Sequence, residues 1–263
     1  MRWPRWAFGV TAGDRPWLRD LARVIEDLGY DELWVNDVRR ASGLDTVAAA
    51  HGNTRGLRYA VGVLGLSDHA PAQIVERVRR GDLPAALTLG VGSGSGRSLD
   101  GVRRGVAAIR ALDPPLAIAL AAVGPRMARL GGEIADAVLL NWAGPRLAAE
   151  RRLAVEAGAS EAGRPVPRIA AYVRVAVGMG AALRLAREQA RYARYGGTYE
   201  TVIDEQVARG ETPLGIAAED PGVMADALDA YRSVLDTVVV RGIPPDDRLE
   251  SWLEIARAAR LQA

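Results

Sequence analysis

Short apolar runs alternate with longer segments of helical periodicity along the whole chain. Eight runs are rich in small or branched apolar residues and have the length of strands that are covered on both faces. They predict strands at Trp6–Val10, Glu32–Asn36, Leu57–Leu64, Ala85–Gly90, Leu116–Ala121, Ala137–Asn141, Arg168–Val177 and Thr237–Arg241.

The segments between these runs have the pattern of amphipathic helices, and several carry start or stop residues. Asp14 comes just before Pro16, Ser67-Asp68 comes just before Pro71, and Gly29 follows Leu28 as a terminating glycine. The predicted helices are Pro16–Leu28, Leu44–His51, Ala70–Arg79, Leu99–Leu112, Arg126–Ala135, Pro145–Ala157, Ala181–Tyr195 and Leu249–Arg260.

Strands that alternate with helices predict a parallel sheet. Eight such units in a chain close to the ~250 residues of a (β/α)8 TIM barrel predict closure, with residues 1–263 forming a single domain. An open, doubly wound sheet is the alternative. The stretch from Tyr195 to Ala218, with a helical piece at Tyr199–Ala208, is a long connection and therefore a candidate lid or substrate loop.

Composition narrows the classes of function. All 34 basic residues are Arg, and 32 acidic residues leave a net charge of only +2, with no basic stripe that would predict a nucleic-acid partner. The absence of cysteine excludes disulfides and thiolate catalysis, and no metal site is predicted. No apolar run reaches the ~18 residues of a membrane-spanning helix, so we expect a cytoplasmic protein.

The glycine-rich stretch Gly90-Val91-Gly92-Ser93-Gly94-Ser95-Gly96 follows a predicted strand and precedes a predicted helix. Its glycines would let backbone N–H groups approach a ligand closely. The dinucleotide fingerprint does not fit, because Ser95 stands where the third glycine is needed. A nucleophile elbow does not fit either, because Gly92 occupies the position of the serine. A flexible strand–helix turn is the structural alternative.

Two further stretches place polar groups at the ends of predicted strands. In Val123-Gly124-Pro125-Arg126, the free N–H groups of a helix start and the guanidinium would bind a phosphate, whereas an ordinary helix start is the alternative. Asp37 ends the second strand, where a polar residue of a barrel is often functional, although a helix-capping role has comparable weight. Arg174 alternates with apolar residues in the seventh strand, and a structural salt bridge is the favoured interpretation over an anionic ligand.

Several of these stretches together resemble bacterial-luciferase-like flavin and deazaflavin oxidoreductases, in a shortened form. Residues 28–37, 58–64 with His69-Ala70-Pro71, and 87–94 are similar to the second, third and fourth strands of that family. The most specific similarity, to members that use the deazaflavin coenzyme F-420, is in 121–142, and 226–241 with 248–259 resembles the closing helix, strand and helix.

The resemblance implies that the cofactor ring lies at the C-terminal mouth of the barrel. A flexed, sometimes cis, peptide after the third strand is expected at Gly62-Val63-Leu64, and Asp37 is expected to hold the ring or move a proton. Many relatives have His directly after that Asp, where this chain has Val38. His69 lies near the C-terminal end of a predicted strand, from which its side chain could reach the mouth. A role at the start of the next helix is nevertheless the favoured interpretation. The residues implied to hold the cofactor are Asp37, Gly62, Val63, Gly92, Ser93, Val123, Gly124, Pro125 and Arg126.

The resemblance therefore predicts an oxidoreductase that transfers a hydride between coenzyme F-420 and a small organic substrate. An FMN-dependent luciferase-like monooxygenase and a non-catalytic, flavin-binding or degenerate barrel are the alternatives. The non-catalytic alternative gains support from Val38 and from the short turn between Leu112 and Leu116. Relatives commonly pair through helices near the second and third strands, so we also expect a homodimer.

Overall fold

The computed structural model describes residues 5–96, 98–113, 116–211, 214–219 and 224–260. Within them, one all-parallel sheet of nine strands occupies the centre of the molecule. The strands are β1 Arg5–Thr11, β2 Glu32–Asn36, β3 Arg58–Gly65, β4 Leu87–Gly92, β5 Ala117–Ala122, β6 Ala137–Asn141, β7 Arg168–Val177, β8 Ile216–Ala218 and β9 Thr237–Gly242.

Eight of the strands close into a barrel. Strands β1 to β7 pair in sequence order, β7 pairs with β9, and β9 returns to β1. The prediction of a (β/α)8 TIM barrel is thus confirmed, and the open sheet is wrong. Because every strand is parallel, all turns that follow a strand emerge on the same face.

Ten helices among the described residues follow the strands. They are α1 Leu18–Asp27, α2 Gly43–Ala50, α3 Pro71–Arg79, α4 Leu99–Leu112, α5 Pro125–Ile134, α6 Pro145–Glu161, α7 Ala181–Ala193, α8 Thr198–Ala208, α9 Met224–Arg232 and α10 Leu249–Arg260. No helix in the described part of the chain combines the length and the apolar character needed to cross a bilayer.

The helices α5 and α6 show how the sequence permits close packing. A Cβ on Gly132 would lie 2.0 Å from the carbonyl oxygen of Val155, and one on Gly158 would lie 2.0 Å from that of Arg129. Only glycine at both positions lets the two backbones approach this closely.

Inside the barrel, a small second core lies under the mouth. It is built on Trp34 and Tyr172, whose rings meet edge to face, together with Leu139, Val239 and a set of alanines. Below this core, the buried carboxylate of Glu32 accepts a hydrogen bond from Trp34 Nε1 (2.8 Å) and contacts Arg168. The lower end of the barrel is therefore sealed by packed and paired side chains.

The structure differs most from the sequence prediction at β4 and in the connection after β7. β4 ends at Gly92 rather than at Gly90, so Gly92 belongs to the strand. The predicted long connection after β7 contains α8 and the additional strand β8, which extends the sheet beside β7. A strand of three residues, such as β8, is too short to show an apolar period in the sequence. Pro114 and Pro115 of the predicted short turn and Pro213 of the connection lie outside the described residues.

Candidate active site at the barrel mouth

The C-terminal mouth of the barrel has an open and a covered side. At the ends of β1 to β5, the residues Thr11, Asn36, Val63, Ser93 and Val123 are all partly exposed. Over β6, β7 and β9, the helices α7 and α8 cover the mouth. All nine residues that the sequence predicts for the cofactor lie in the second half of β3, at the end of β4 or directly after β2, β4 and β5, so the structure brings them to one arc on the open side.

Asp37, at the end of β2, has two structural partners. Its Oδ1 accepts a hydrogen bond from the Gly43 N–H (2.7 Å) at the start of α2. This oxygen therefore makes a helix-capping contact, as the structural alternative for Asp37 proposed. Its Oδ2 lies 3.6 Å from His69 Nε2. Burial raises the pKa of Asp37, against the lowering effects of the Gly43 N–H and of His69.

His69 is therefore a residue of the mouth, and the helix-start role favoured from the sequence is wrong. α3 begins at Pro71 with Ala70 at its N-cap. The imidazole reaches across from the turn after β3 to the carboxylate after β2, with a side chain 43% exposed. An imidazole thus stands beside Asp37 even though Val38 replaces the adjacent histidine of relatives.

The third strand is irregular at the position that the resemblance implies. The Gly62–Val63 peptide is cis, and the pairing of β3 with β4 shifts register between Val61 and Leu64. The Tyr172 hydroxyl donates to the Gly62 carbonyl (3.1 Å) from the centre of the barrel. A Cβ on Gly62 would lie 2.4 Å from that hydroxyl. The predicted cis peptide is confirmed, and its support from below is Tyr172, which sequence reasoning missed.

The glycine-rich turn contacts the turn that follows β3. The Ser95 hydroxyl lies 3.1 Å from Ser67 Oγ and 3.3 Å from Asp68 Oδ1, in the turn after β3. Gly94 adopts a positive φ of 65° and packs against the same turn. Its neighbour Ser93 is left at the mouth, together with the end of β4.

The turn after β5 leads directly into α5. Gly124 is the N-cap and contributes no side-chain cap, and Pro125 is the first helical residue. From below, Arg151 Nε donates to the Val123 carbonyl (3.0 Å) and so fixes the turn. Arg126 is exposed, and no hydrogen bond or ion pair joins it to another described residue. The helix start therefore leaves its first N–H groups without a side-chain cap, and the neighbouring guanidinium of Arg126 has no partner among the described residues.

The chain contains a second Gly-Pro-Arg helix start with a different environment. At α6, the Gly144 N–H donates to Gln206 Oε1 (2.7 Å), and Gln206 Nε2 donates to the carbonyls of Trp142 and Val202 (2.8 and 2.9 Å). Gln206 is fully buried, so it anchors α8 onto the turn after β6. The Gly124 N–H makes no such hydrogen bond to a side chain of the described residues. The two helix starts therefore have the same sequence but different surroundings, and the start of α6 can serve as the control for the start of α5.

The covered side is built from aromatic and cationic residues. The Arg174 guanidinium stacks on Trp142 (3.5 Å to the ring centroid) and lies 4.9 Å from the centroid of Tyr192. Its Nη2 donates to Asn141 Oδ1 (2.9 Å), and no carboxylate of the described residues forms an ion pair with it. The salt bridge favoured from the sequence is therefore wrong. The spacing of Tyr192, Tyr195 and Tyr199, on α7, the turn after it and α8, was the pattern in the sequence that could have indicated this cluster.

Two cavities are described near the covered side. A narrow crevice is lined by Trp142, Tyr172, Arg174 and Tyr231, and a wider cavity of about 410 Å³ lies between the start of α6 and α9. None of the nine predicted cofactor residues lines either one.

The family model described as luciferase-like monooxygenase matches residues 90–258, which is more than half of the chain. The chain belongs to this family. No sequence among curated proteins matches it. The family-model match therefore identifies the chain as a member of a family of oxidoreductases and monooxygenases.

Solved structures of the family share the fold of this luciferase-like chain. An F-420-dependent secondary alcohol dehydrogenase, in complex with an F-420–acetone adduct, superposes with a TM-score of 0.75 at 16% identity, covering 97% of this chain and 99% of that one. Coenzyme F-420-dependent tetrahydromethanopterin reductase from Methanopyrus kandleri gives 0.71 at 16% identity, with coverage of 99% and 98%. The oxygenating constituent of 3,6-diketocamphane monooxygenase from Pseudomonas putida, in complex with FMN, gives 0.71 at 14% identity, with coverage of 98% of each chain.

Proposed function

We propose that this luciferase-like chain is an oxidoreductase that transfers a hydride between coenzyme F-420 and a small organic substrate at the open side of the mouth. One observation carries the proposal: a carboxylate–imidazole pair and a helix start without a side-chain cap lie on the same arc, separated by the irregular third strand and the end of β4. The deazaflavin ring, when bound, accepts or donates the hydride, and the protein supplies position and proton handling.

The residues of the arc fit a flat ring and an anionic tail. A Cβ on Gly92 would meet only Val63 and Ala121, at 3.4 and 3.5 Å, so the glycine leaves a gap between two small apolar side chains. At the end of β2, Asn36 Oδ1 is buried without a hydrogen-bond partner among the described residues. We assign the ring to this wall, with Asn36 as an additional polar contact that the sequence did not indicate.

The anionic tail is assigned to the start of α5. Three features support this assignment: the uncapped N–H groups after Gly124, the positive end of the helix dipole and the free guanidinium of Arg126. A charge-assisted contact of this kind contributes about 1.5–3 kcal/mol. The Arg151 contact to Val123 holds the turn without occupying its N–H groups.

Proton transfer is assigned to Asp37 and His69. The Asp37 carboxylate is fixed by the Gly43 N–H and lies beside the imidazole, so it orients the ring of His69 toward the mouth. The half-exposed imidazole is the member of the pair that reaches substrate and solvent, and it gives or takes the substrate proton. Asp37 supplies the counter-charge.

Titration of the protein with F-420 and with FMN, followed by absorbance, tests the assignment. Arg126→Ala should weaken binding of the preferred cofactor by roughly tenfold to a hundredfold, from the loss of one charge-assisted contact. Gly124→Val should also weaken it, because a branched side chain blocks the approach to the turn. The matched control is Arg146→Ala at the start of α6, which should bind like the wild type.

The outcomes separate the alternatives. Tighter binding of FMN, with oxygen-dependent turnover, would replace the proposal by an FMN-dependent monooxygenase, the activity of the Pseudomonas putida structural neighbour. Wild-type affinity in both α5 variants would reduce the turn to an ordinary helix start. If neither cofactor binds the wild-type protein, the non-catalytic barrel is the correct alternative.

A further inference from the structure

Two arginines project into the mouth from neighbouring strands. Arg174 of β7 and Arg241 of β9 are paired in register, and each lies two residues beyond an inward-facing residue of the inner core, Tyr172 and Val239. They are only 3% and 7% exposed. Because side chains two apart on a strand share a face, both guanidinium groups lie directly above the inner core.

Neither guanidinium has a carboxylate partner among the described residues. Arg241 donates to the Gly242 carbonyl (2.8 Å) and to the Thr11 hydroxyl, and Arg174 donates to the Asn141 amide oxygen. All of these acceptors are neutral. Burial of two like charges without a counter-charge is costly, because attraction to an acid normally offsets the loss of hydration. Burial is also the main cause that lowers the pKa of each arginine.

The orientation of Arg174 leaves a specific edge for a ligand. Its guanidinium lies against the rings of Trp142 and Tyr192. On one edge, Nη2 binds Asn141, whereas Nε is buried without a hydrogen-bond partner. Nε and Nη2 together form the two-donor edge that accepts a planar oxyanion in bidentate fashion. A neutral amide oxygen now satisfies half of that edge.

The approach to this pair is from the mouth of the barrel. Thr11 and Asn141, which accept hydrogen bonds from Arg241 and Arg174, are both partly exposed. A ligand that displaces these two neutral acceptors therefore reaches both guanidinium groups from the mouth. Among the described residues, Glu188 is the acid whose charge most affects the pKa of Arg241. Its carboxylate is already bound by Arg191 (2.7 Å).

We infer that Arg174 and Arg241 form a binding site for the oxyanion of a small organic acid, on the covered side of the mouth. As a statement about substrate it rests on the proposed function and narrows the substrate to an anionic one. As a statement about binding it stands without any cofactor.

Calorimetric titration of the full-length protein with sodium butanoate tests the site, with ionic strength held constant by sodium chloride. The isosteric neutral butanamide and sodium sulfate are run alongside. We expect saturable binding of butanoate that butanamide does not reproduce, and binding of sulfate would assign the site to oxyanions in general. Arg174→Met and Arg241→Met should each weaken butanoate binding at least tenfold, which corresponds to about 1.4 kcal/mol. Arg146→Met, at an exposed helix start, is the control that should leave it unchanged.

Urea unfolding without butanoate adds a readout that separates a ligand site from a structural role. An uncompensated buried charge predicts that the Met variants unfold at an equal or higher urea concentration than the wild type. Unsaturable butanoate binding, equal binding of butanamide, or wild-type affinity in both variants overturns the inference, as does a lower urea midpoint in both. Cofactor titrations of the same variants keep the two proposals apart, because normal F-420 or FMN binding is expected in each.

Discussion

Substitution of Gly62 by Ala tests how the inner core supports the irregular third strand. The added Cβ would lie 2.4 Å from Tyr172 Oη, 3.0 Å from Trp34 Cε3 and 3.1 Å from Leu139 Cδ2. All three neighbours are almost fully buried inside the closed barrel. They have little room to move, so the new methyl group must displace the Tyr172 hydroxyl.

The expected cost has two parts. Overpacking of a dense core costs about 1–3 kcal/mol. Displacement of Tyr172 breaks its hydrogen bond to the Gly62 carbonyl, which contributes about 1 kcal/mol. Gly62→Ala should therefore lower the free energy of unfolding by about 2–4 kcal/mol. Tyr172→Phe alone should lower it by about 1–3 kcal/mol, because the buried carbonyl loses its donor.

The double variant Gly62→Ala with Tyr172→Phe should be less destabilised than the sum of the two single variants. Phe lacks the oxygen that the new Cβ would meet, and the hydrogen bond is lost only once. We expect a coupling of at least about 1 kcal/mol, measured by urea unfolding of all four proteins.

Gly92→Ala is the control, because its Cβ would make only ordinary contacts at 3.4 and 3.5 Å. Its free energy of unfolding should equal or slightly exceed that of the wild type. Additive single and double variants, within about 0.5 kcal/mol, would refute the proposed contact between Tyr172 and Gly62.

Three further predictions concern the mouth and the base of the barrel. Burial raises the pKa of Asp37 and His69 opposes this, so His69→Gln should raise the pKa of the Asp37 carboxyl further in an NMR titration; an unchanged pKa would show that the two side chains do not interact. Gln206→Leu should lower the free energy of unfolding by about 2–3 kcal/mol, since buried polar groups lose their partners. The backbone amides of α8 should also exchange hydrogen faster, and a wild-type exchange rate would show that α8 is held by other contacts. Glu32→Gln should lower the free energy of unfolding by about 2–4 kcal/mol in urea, because Arg168 loses its buried counter-charge, and an unchanged midpoint would contradict this.

Much of the barrel was predictable from local patterns. All eight predicted strands are present, several with identical bounds, such as Glu32–Asn36 and Arg168–Val177. The apolar runs were long enough, and the turn residues frequent enough, to mark each unit. β8 escaped because its three residues pair only with the far end of β7, a contact that no local period encodes.

The chemistry of the mouth was predictable only where a residue lies at the end of a strand. Asp37, the glycine-rich turn and the Val123–Arg126 turn were all found because parallel strands bring their carboxyl ends to one face. The role of His69 was not found, because its partner lies 32 positions earlier in the sequence and on another strand. Arg174 was noted as a charge on a buried strand, but its neutral and aromatic partners come from two other segments, the end of β6 and α7.

The sequence by itself determined the periodicity, the order of the elements and the face to which the functional turns belong, because these depend on neighbours within a few residues and on the parallel direction of the strands. The tertiary structure alone decided which side chains meet across the mouth: His69 with Asp37, Tyr172 with Gly62, and Arg174 with Trp142 in place of an acid. Such pairings depend on barrel register and on side-chain packing between distant segments. No run of adjacent residues contains that information.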